Sequence, residues 1–316
     1  MITILLRTDN RRASFIAAFV TIMISFAAFP AIAKDGAGSS GASYLLLPVG
    51  ARSIALGETG AALARDPFTW LSNPALLPFA EGSGVGAFHS QWTLDTYYDN
   101  VIAKHALNRF VSIGAAFTYL SSPDIPGFDD TGAPTAAVGN SNLQGIVGVG
   151  FKPLAGLGAG VNVKYLQERI ADYTGRGWAV DVGAAWITGL REIALGAAVQ
   201  NLGSDITYIA EKEKLPTTFR VGASGALPLP VSPVAVRLAA DLVKKRFEDA
   251  YGCYGAEIDV RSIVFLRAGY TADANREGDR FSVGGGLKLF DRLMVDYAWT
   301  PYGDLGSFHR ISIYAH

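Results

Sequence analysis

From about Gly82 to His316 the chain is a train of roughly ten-residue segments in which apolar residues alternate with small or polar ones. A closed transmembrane β-barrel requires this period of two, because the pleat sends successive side chains alternately to lipid and to lumen. Leu157, Ala159, Val161, Val163 and Tyr165 fall on one face, with Gly158, Gly160, Asn162 and Lys164 on the other. Trp178, Val180, Val182, Ala184 and Trp186 likewise oppose Ala179, Asp181, Gly183 and Ala185. Leu293, Val295, Tyr297 and Trp299 oppose Met294, Asp296, Ala298 and Thr300. The apolar set is expected to meet lipid, with Trp178, Trp186, Tyr297 and Trp299 forming aromatic girdles near strand ends.

The amino terminus suggests which membrane. Arg7, Arg11 and Arg12 precede an apolar run from Ala13 to Phe29, and Ala31-Ile32-Ala33 places small residues where a signal peptidase reads. Residues 1–33 therefore read as a removed secretory signal. No later stretch approaches the ~18 uninterrupted apolar residues of a membrane helix, which excludes a helical membrane protein. An exported chain with alternating β patterning belongs in the outer membrane of a Gram-negative-type bacterium. Composition agrees: 17% of residues are charged, against roughly 25% in a soluble domain. Without residues 1–33, which carry three arginines and one aspartate, the formal net charge moves from −1 to −3. Such a balance gives nucleic acid no attraction. The single Cys253 has no partner for an intrachain disulfide and reads as a buried bystander.

Counting segments gives fourteen strands, at 82–92, 97–106, 110–120, 142–152, 157–168, 176–187, 191–201, 217–227, 233–244, 249–258, 262–272, 280–290, 293–300 and 307–315. An even count puts both termini on the periplasmic side. Every second connection is then tight, at 107–109, 153–156, 189–190, 228–232, 259–261 and 291–292. By the same parity the long connections Ser121–Ser141 and Leu202–Pro216 are extracellular and solvated. The barrel domain is thus residues 81–316. The glycines on its inner faces suit a crowded lumen.

Residues 34–80 precede the first strand and are neither strand-like nor disordered in composition. An alanine-rich middle suggests a short helix, with Asp66-Pro67 and Asn73-Pro74 as turn formers that stop it. A fourteen-stranded barrel leaves a lumen larger than side chains fill, so this segment is expected to be a plug in its periplasmic half. The run Gly50-Ala51-Arg52-Ser53-Ile54-Ala55-Leu56-Gly57, then Asp66, then Asn73-Pro74-Ala75, resembles the amino-terminal signature of the PorV/PorQ outer-membrane proteins, themselves similar to the FadL channel. Leu56 stands where that family commonly has methionine, and Leu76 where it has glycine. The resemblance implies an all-β, fourteen-stranded antiparallel barrel with an amino-terminal hatch, and makes Gly50, Arg52, Gly57, Asp66, Asn73, Pro74 and Ala75 its motif residues.

Alternation also places Arg220, Arg237, Asp241, Glu257, Arg267, Lys288 and Asp296 inward, with Lys164 and Asp181 on earlier strands. Near balance of sign argues for ion pairs rather than an ion-selective constriction. Arg237, Glu257, Arg267, Lys288 and Asp296 share a depth near the tight turns and are expected to grip the hatch. Catalysis has no support: His89, His105, His309 and His316 have no metal-ligand spacing, and no serine elbow or paired cysteine motif occurs. No cofactor is expected.

Two functions fit a non-enzymatic barrel in outer-membrane lipid. The PorV/PorQ resemblance implies an interaction protein serving type IX-like secretion, with secretion components or exported cargo as partners at the extracellular loops. Ile125 and Phe128, apolar residues in the longest loop, are the contact candidates, unless they fold back over the barrel mouth. The alternative is FadL-like passive transport of a hydrophobic small molecule. The third segment, Phe110 to Leu120, contains no proline and only Gly114, so nothing in it marks the kink that a lateral opening would use. The interaction reading is preferred on that ground.

Overall fold

The computed structural model describes residues 40–80, 82–92, 95–188, 193–208, 212–227, 233–274, 280–303 and 306–316. The signal segment 1–33 and residues 34–39 of the expected hatch lie outside the described residues.

Fourteen antiparallel strands close into one barrel. They are β1 (Gly84–Gln91), β2 (Tyr97–Ala106), β3 (Val111–Phe128), β4 (Pro134–Leu154), β5 (Leu157–Ile170), β6 (Tyr173–Ile187) and β7 (Ala194–Gly203). After a two-residue ribbon, β8 (Ile206–Thr207) with β9 (Lys212–Glu213), the wall continues as β10 (Thr218–Leu227), β11 (Val234–Lys245), β12 (Ala250–Val260) and β13 (Val264–Thr271). It ends with β14 (Phe281–Leu289), β15 (Leu293–Pro301) and β16 (Ser307–Ala315). β16 pairs with β1 from Val85↔Ala315 to Gln91↔His309, so no wall edge is left open. Closure follows from the cost of unpaired backbone groups in an apolar medium.

The alternation works as expected. Val161, Val163, Trp178 and Trp186 are exposed on the outer wall, while Asn162, Lys164, Asp181 and Ala185 are buried within. Tyr165 and Trp178 pack edge to face toward the end with the long connections, and Trp186 lies at the end with the tight turns. The amino end of β1 and the carboxyl end of β16 share that tight-turn end.

The long connection at Ser121–Ser141 proves to be mostly strand. β3 and β4 run on past the wall as a ribbon, through bulges between Ser122 and Gly127, to Phe128↔Pro134. Pro123 and Pro126 are tolerated because β2 stops at Tyr97↔Ser121, leaving β3 an edge where no amide hydrogen is required. Within the wall, β3 keeps unbroken register with both neighbours. Register shifts occur elsewhere, between β6 and β7 from Val180 to Val182 and between β4 and β5 from Phe151 to Leu154.

Residues 40–80 run through the lumen. Helix α1 (Ala51–Ala55) is followed by 3-10 helices at Thr69–Leu71 and Pro74–Phe79, with another at Ser43–Leu46 before it. Trp70, Leu76 and Leu77 are fully buried there. Two expectations are corrected. The alanine-rich Gly60–Ala64 is not helical: the Ala61 and Ala62 carbonyls, which a helix would pair with later amides, accept from the Asn73 and Ser224 side chains instead. Asn73-Pro74 starts a helix and does not stop one: the Asn73 side chain accepts the Ala75 amide, with Pro74 at the first helical position, the place where proline's fixed φ fits.

The segment also reaches beyond the tight-turn half. Gly41 donates its amide to the Lys214 carbonyl at 3.1 Å, in the long connection after β7, so Gly41–Val49 extends to the opposite end of the lumen. The even strand count fixes where the barrel strands begin and end, not where the threaded segment begins.

Candidate functional site

The hatch is held by polar groups that alternation aims inward from nearly every part of the wall. On one side the small hydroxyls of Ser312, Ser282, Thr271 and Ser224 meet the hatch backbone. Ser312 accepts from the Ala51 amide at 2.7 Å. The others donate to the carbonyls of Ile54 (2.7 Å), Gly57 (2.9 Å) and Ala62 (2.7 Å). On the other side Gln200 donates to the Leu71 carbonyl at 3.2 Å and Asn162 to that of Trp70 at 3.1 Å. Lys104 donates to the carbonyls of Ala80 and Gly82 where the hatch joins β1. Buried carbonyls need such partners.

The motif residues fall at the tightest contacts. Gly50 and Gly57 adopt φ of +96° and +71°, a region that side chains disfavour. At Gly57 a β-carbon would also strike the wall backbone at Tyr254 and Tyr270. Asn73 donates to Ala61 within the hatch at 2.7 Å and to Ala184 of β6 at 3.2 Å, tying the segment both to itself and to the wall. Wall glycines admit this: a β-carbon at Gly183 would collide with Asn73, one at Gly196 with the Ala61 carbonyl, and one at Gly160 with Pro74. Ala75 is fully buried with Leu76 against Ala185. Asp66 accepts the Phe68 amide at 2.8 Å and faces Arg52 at 3.7 Å.

At the tight-turn end of β11–β15 a charged network forms. Arg52 donates from Nε and Nη2 to the two carboxylate oxygens of Glu257, at 2.9 and 3.0 Å. This side-on pairing is the strong geometry for a guanidinium. Arg267 donates to the same Glu257 at 2.7 Å and to Asp296 at 2.5 Å. Arg237 reaches Asp259 at 2.8 Å and Glu257 at 3.7 Å. Of the five charges expected to share a depth, Arg237, Glu257, Arg267 and Asp296 are thus linked, and Glu257 carries the hydrogen-bonded tie to the hatch. Lys288 lines the cavity beside them. Asp241 on β11 makes a second tie, accepting from Gly60 and Ala61 and pairing with Arg220 at 2.8 Å. Asp259, read from sequence as part of a turn, belongs to β12. The small hydroxyls carry no charge, and no pattern in the sequence singles them out.

Between the hatch and this part of the wall lies a cavity of about 450 Å³. Leu56, Leu63, Phe79, Phe265 and Met294 contribute apolar lining, and the arginine network lines another part. On the long-loop side of the hatch a smaller pocket of about 70 Å³ runs along Leu45–Val49.

Ile125 and Phe128 stand on the β3–β4 ribbon, 66% and 64% exposed. They do not fold back over the mouth. The segment Leu202–Pro216, expected to be solvated, instead buries Ile206 and Leu215 against Ala42 and Tyr44. Among the described residues no group of His, Cys, Asp or Glu is arranged to hold a metal ion.

No protein-family model matches the chain, and no curated protein aligns with it significantly. Its fold is that of FadL-type outer-membrane channels. It is similar to the Pseudomonas putida toluene transporter TodX, with TM-score 0.60 and 13% identity, over 84% of this chain and 96% of that one. The Ralstonia pickettii toluene transporter TbuX matches with TM-score 0.57 and 12% identity, over 84% and 97%. A Pseudomonas aeruginosa FadL homologue matches with TM-score 0.53 and 10% identity, over 85% and 98%. None of these comparisons carries the narrower PorV/PorQ likeness.

Proposed function

We propose that this chain is a passive outer-membrane channel for a hydrophobic small molecule, with its tight turns and barrel termini toward the periplasm and the β3–β4 ribbon outside the cell. The observation that carries this reading is the 450 Å³ cavity between hatch and wall, within the size range of small-molecule sites and lined in part by Leu56, Leu63, Phe79, Phe265 and Met294. The likeness to transporters of toluene supports it. Net-uncharged cargo suits a wall whose arginines and carboxylates are paired with one another. The channel reading replaces the interaction reading as first choice, since the fold shared with hydrocarbon channels extends over most of the chain.

Filling the cavity tests it. Ala239 is a buried neighbour of Leu56 and Leu63, and Ala239→Phe should abolish entry of an apolar fluorescent probe into proteoliposomes while the barrel keeps its heat-modifiable migration. Unchanged probe entry would count against transport through this cavity. The exposure of Ile125 and Phe128 favours a second reading, capture of a secreted or secretion-associated protein at the ribbon. For that reading, Ile125→Ala with Phe128→Ala should lose partner pull-down with probe entry unaltered.

A further inference from the structure

Beyond the Tyr165–Trp178 row part of the barrel mouth is filled from within. Between β7 and β10, Ile206 and Leu215 are buried against Ala42 and Tyr44 of the hatch's amino-terminal arm and against Leu166 and Ala179 of the wall. Glycines on β6 make the space: β-carbons at Gly175 and Gly177 would press on Ile206. The arm is joined to the loop by the Gly41 amide on Lys214. The loop is fastened to the wall at Glu168 of β5, whose carboxyl accepts the Tyr208 hydroxyl at 2.5 Å.

We infer that arm and loop together form a lid on the long-loop side, latched by Glu168. Neither part belongs to the barrel ladder, so each can leave without opening the wall. The pocket along Leu45–Val49, about 70 Å³, is well below the size of a small-molecule site, so passage beside the arm requires the arm to move. The lid rests on the channel reading above: it controls access to the cavity on the other face of the hatch.

A disulfide tests it. A β-carbon at Gly41 would lie 2.9 Å from that of Glu213, close enough to cross-link after a small shift, and Cys253 is buried and out of competition. Gly41→Cys with Glu213→Cys should cross-link on oxidation and lose probe entry into proteoliposomes, and dithiothreitol should restore it. Glu168→Ala and Tyr208→Phe, each kept only if heat-modifiable migration is intact, should raise probe entry several-fold. Equal entry through the oxidised and reduced barrels would overturn the lid. If no barrel passes the probe, the channel reading fails on its own. Maleimide labelling of a single Gly41→Cys variant then decides the lid: several-fold faster labelling with Glu168→Ala supports it, and equal rates overturn it.

Discussion

The carboxylate of Asp181 on β6 accepts the backbone amide of Asn201 on β7 at 2.8 Å. Asn201 has φ of +59° and sits where two β7 residues oppose one on β6, so the ordinary ladder partner of that amide is gone. Asp181 also pairs with Lys164 at 2.8 Å, with both side chains buried, and Lys164 returns a bond to the Asn201 side chain. One carboxylate thus satisfies a bulge and a buried cation. Asp181→Ala should destabilise the barrel by about 3 kcal/mol, since it strands Lys164 as well as the amide. Asp181→Asn, which can still accept from the amide, should cost less. The midpoint of heat-modifiable migration reads both.

Asn73 carries a comparable load within the hatch. Asn73→Ala removes a helix cap and leaves the Ala61 and Ala184 carbonyls without this donor, a loss of about 2 kcal/mol. The wall would remain closed, so the expected result is early proteolysis within residues 50–80 with little change in barrel migration. An unchanged proteolysis pattern would mean that Asn73 is dispensable.

Closure of the wall depends on β16, which pairs with β1 on one side and β15 on the other. Deleting residues 311–316 should abolish heat-modifiable migration, because the backbone groups of β1 and β15 would be left open at several kcal/mol each. Retained migration would show that closure lies elsewhere.

At the ribbon tip Asp129 accepts from the Thr131 hydroxyl and the amides of Thr131 and Ala133. The Thr131 hydroxyl is the largest of the causes that lower its pKa. The turn is therefore held above the ordinary aspartate pKa and loosens as pH falls through the depressed value. Protection of the Thr131 and Ala133 amides from exchange, relative to the intrinsic rate at each pH, should fall only in acid, and Asp129→Ala should remove it at every pH.

Much of the wall was legible in the sequence because one face of each strand is read by lipid. β2 and β5 begin at the expected residues, and the pleat parity of Asn162, Lys164 and Asp181 follows from alternation alone. Legibility ends where no lipid does the sorting. Pro123 and Pro126 look like loop residues, yet a free edge accepts them. Ile206 and Leu215, in a polar stretch, gave no period that pointed inward. The hatch contacts are irregular because each depends on a particular backbone carbonyl meeting a particular serine or threonine, which no spacing rule encodes.

The arm running through the lumen from Lys214 at one end to Lys104 at the other makes the folded chain a threaded ring. β1 and β16 stand at opposite ends of the barrel sequence, so their pairing spans the largest sequence separation in the wall and carries the highest loop-closure cost. The seam between Val85 and Ala315 is thus where a sheet becomes a ring around a segment of its own chain.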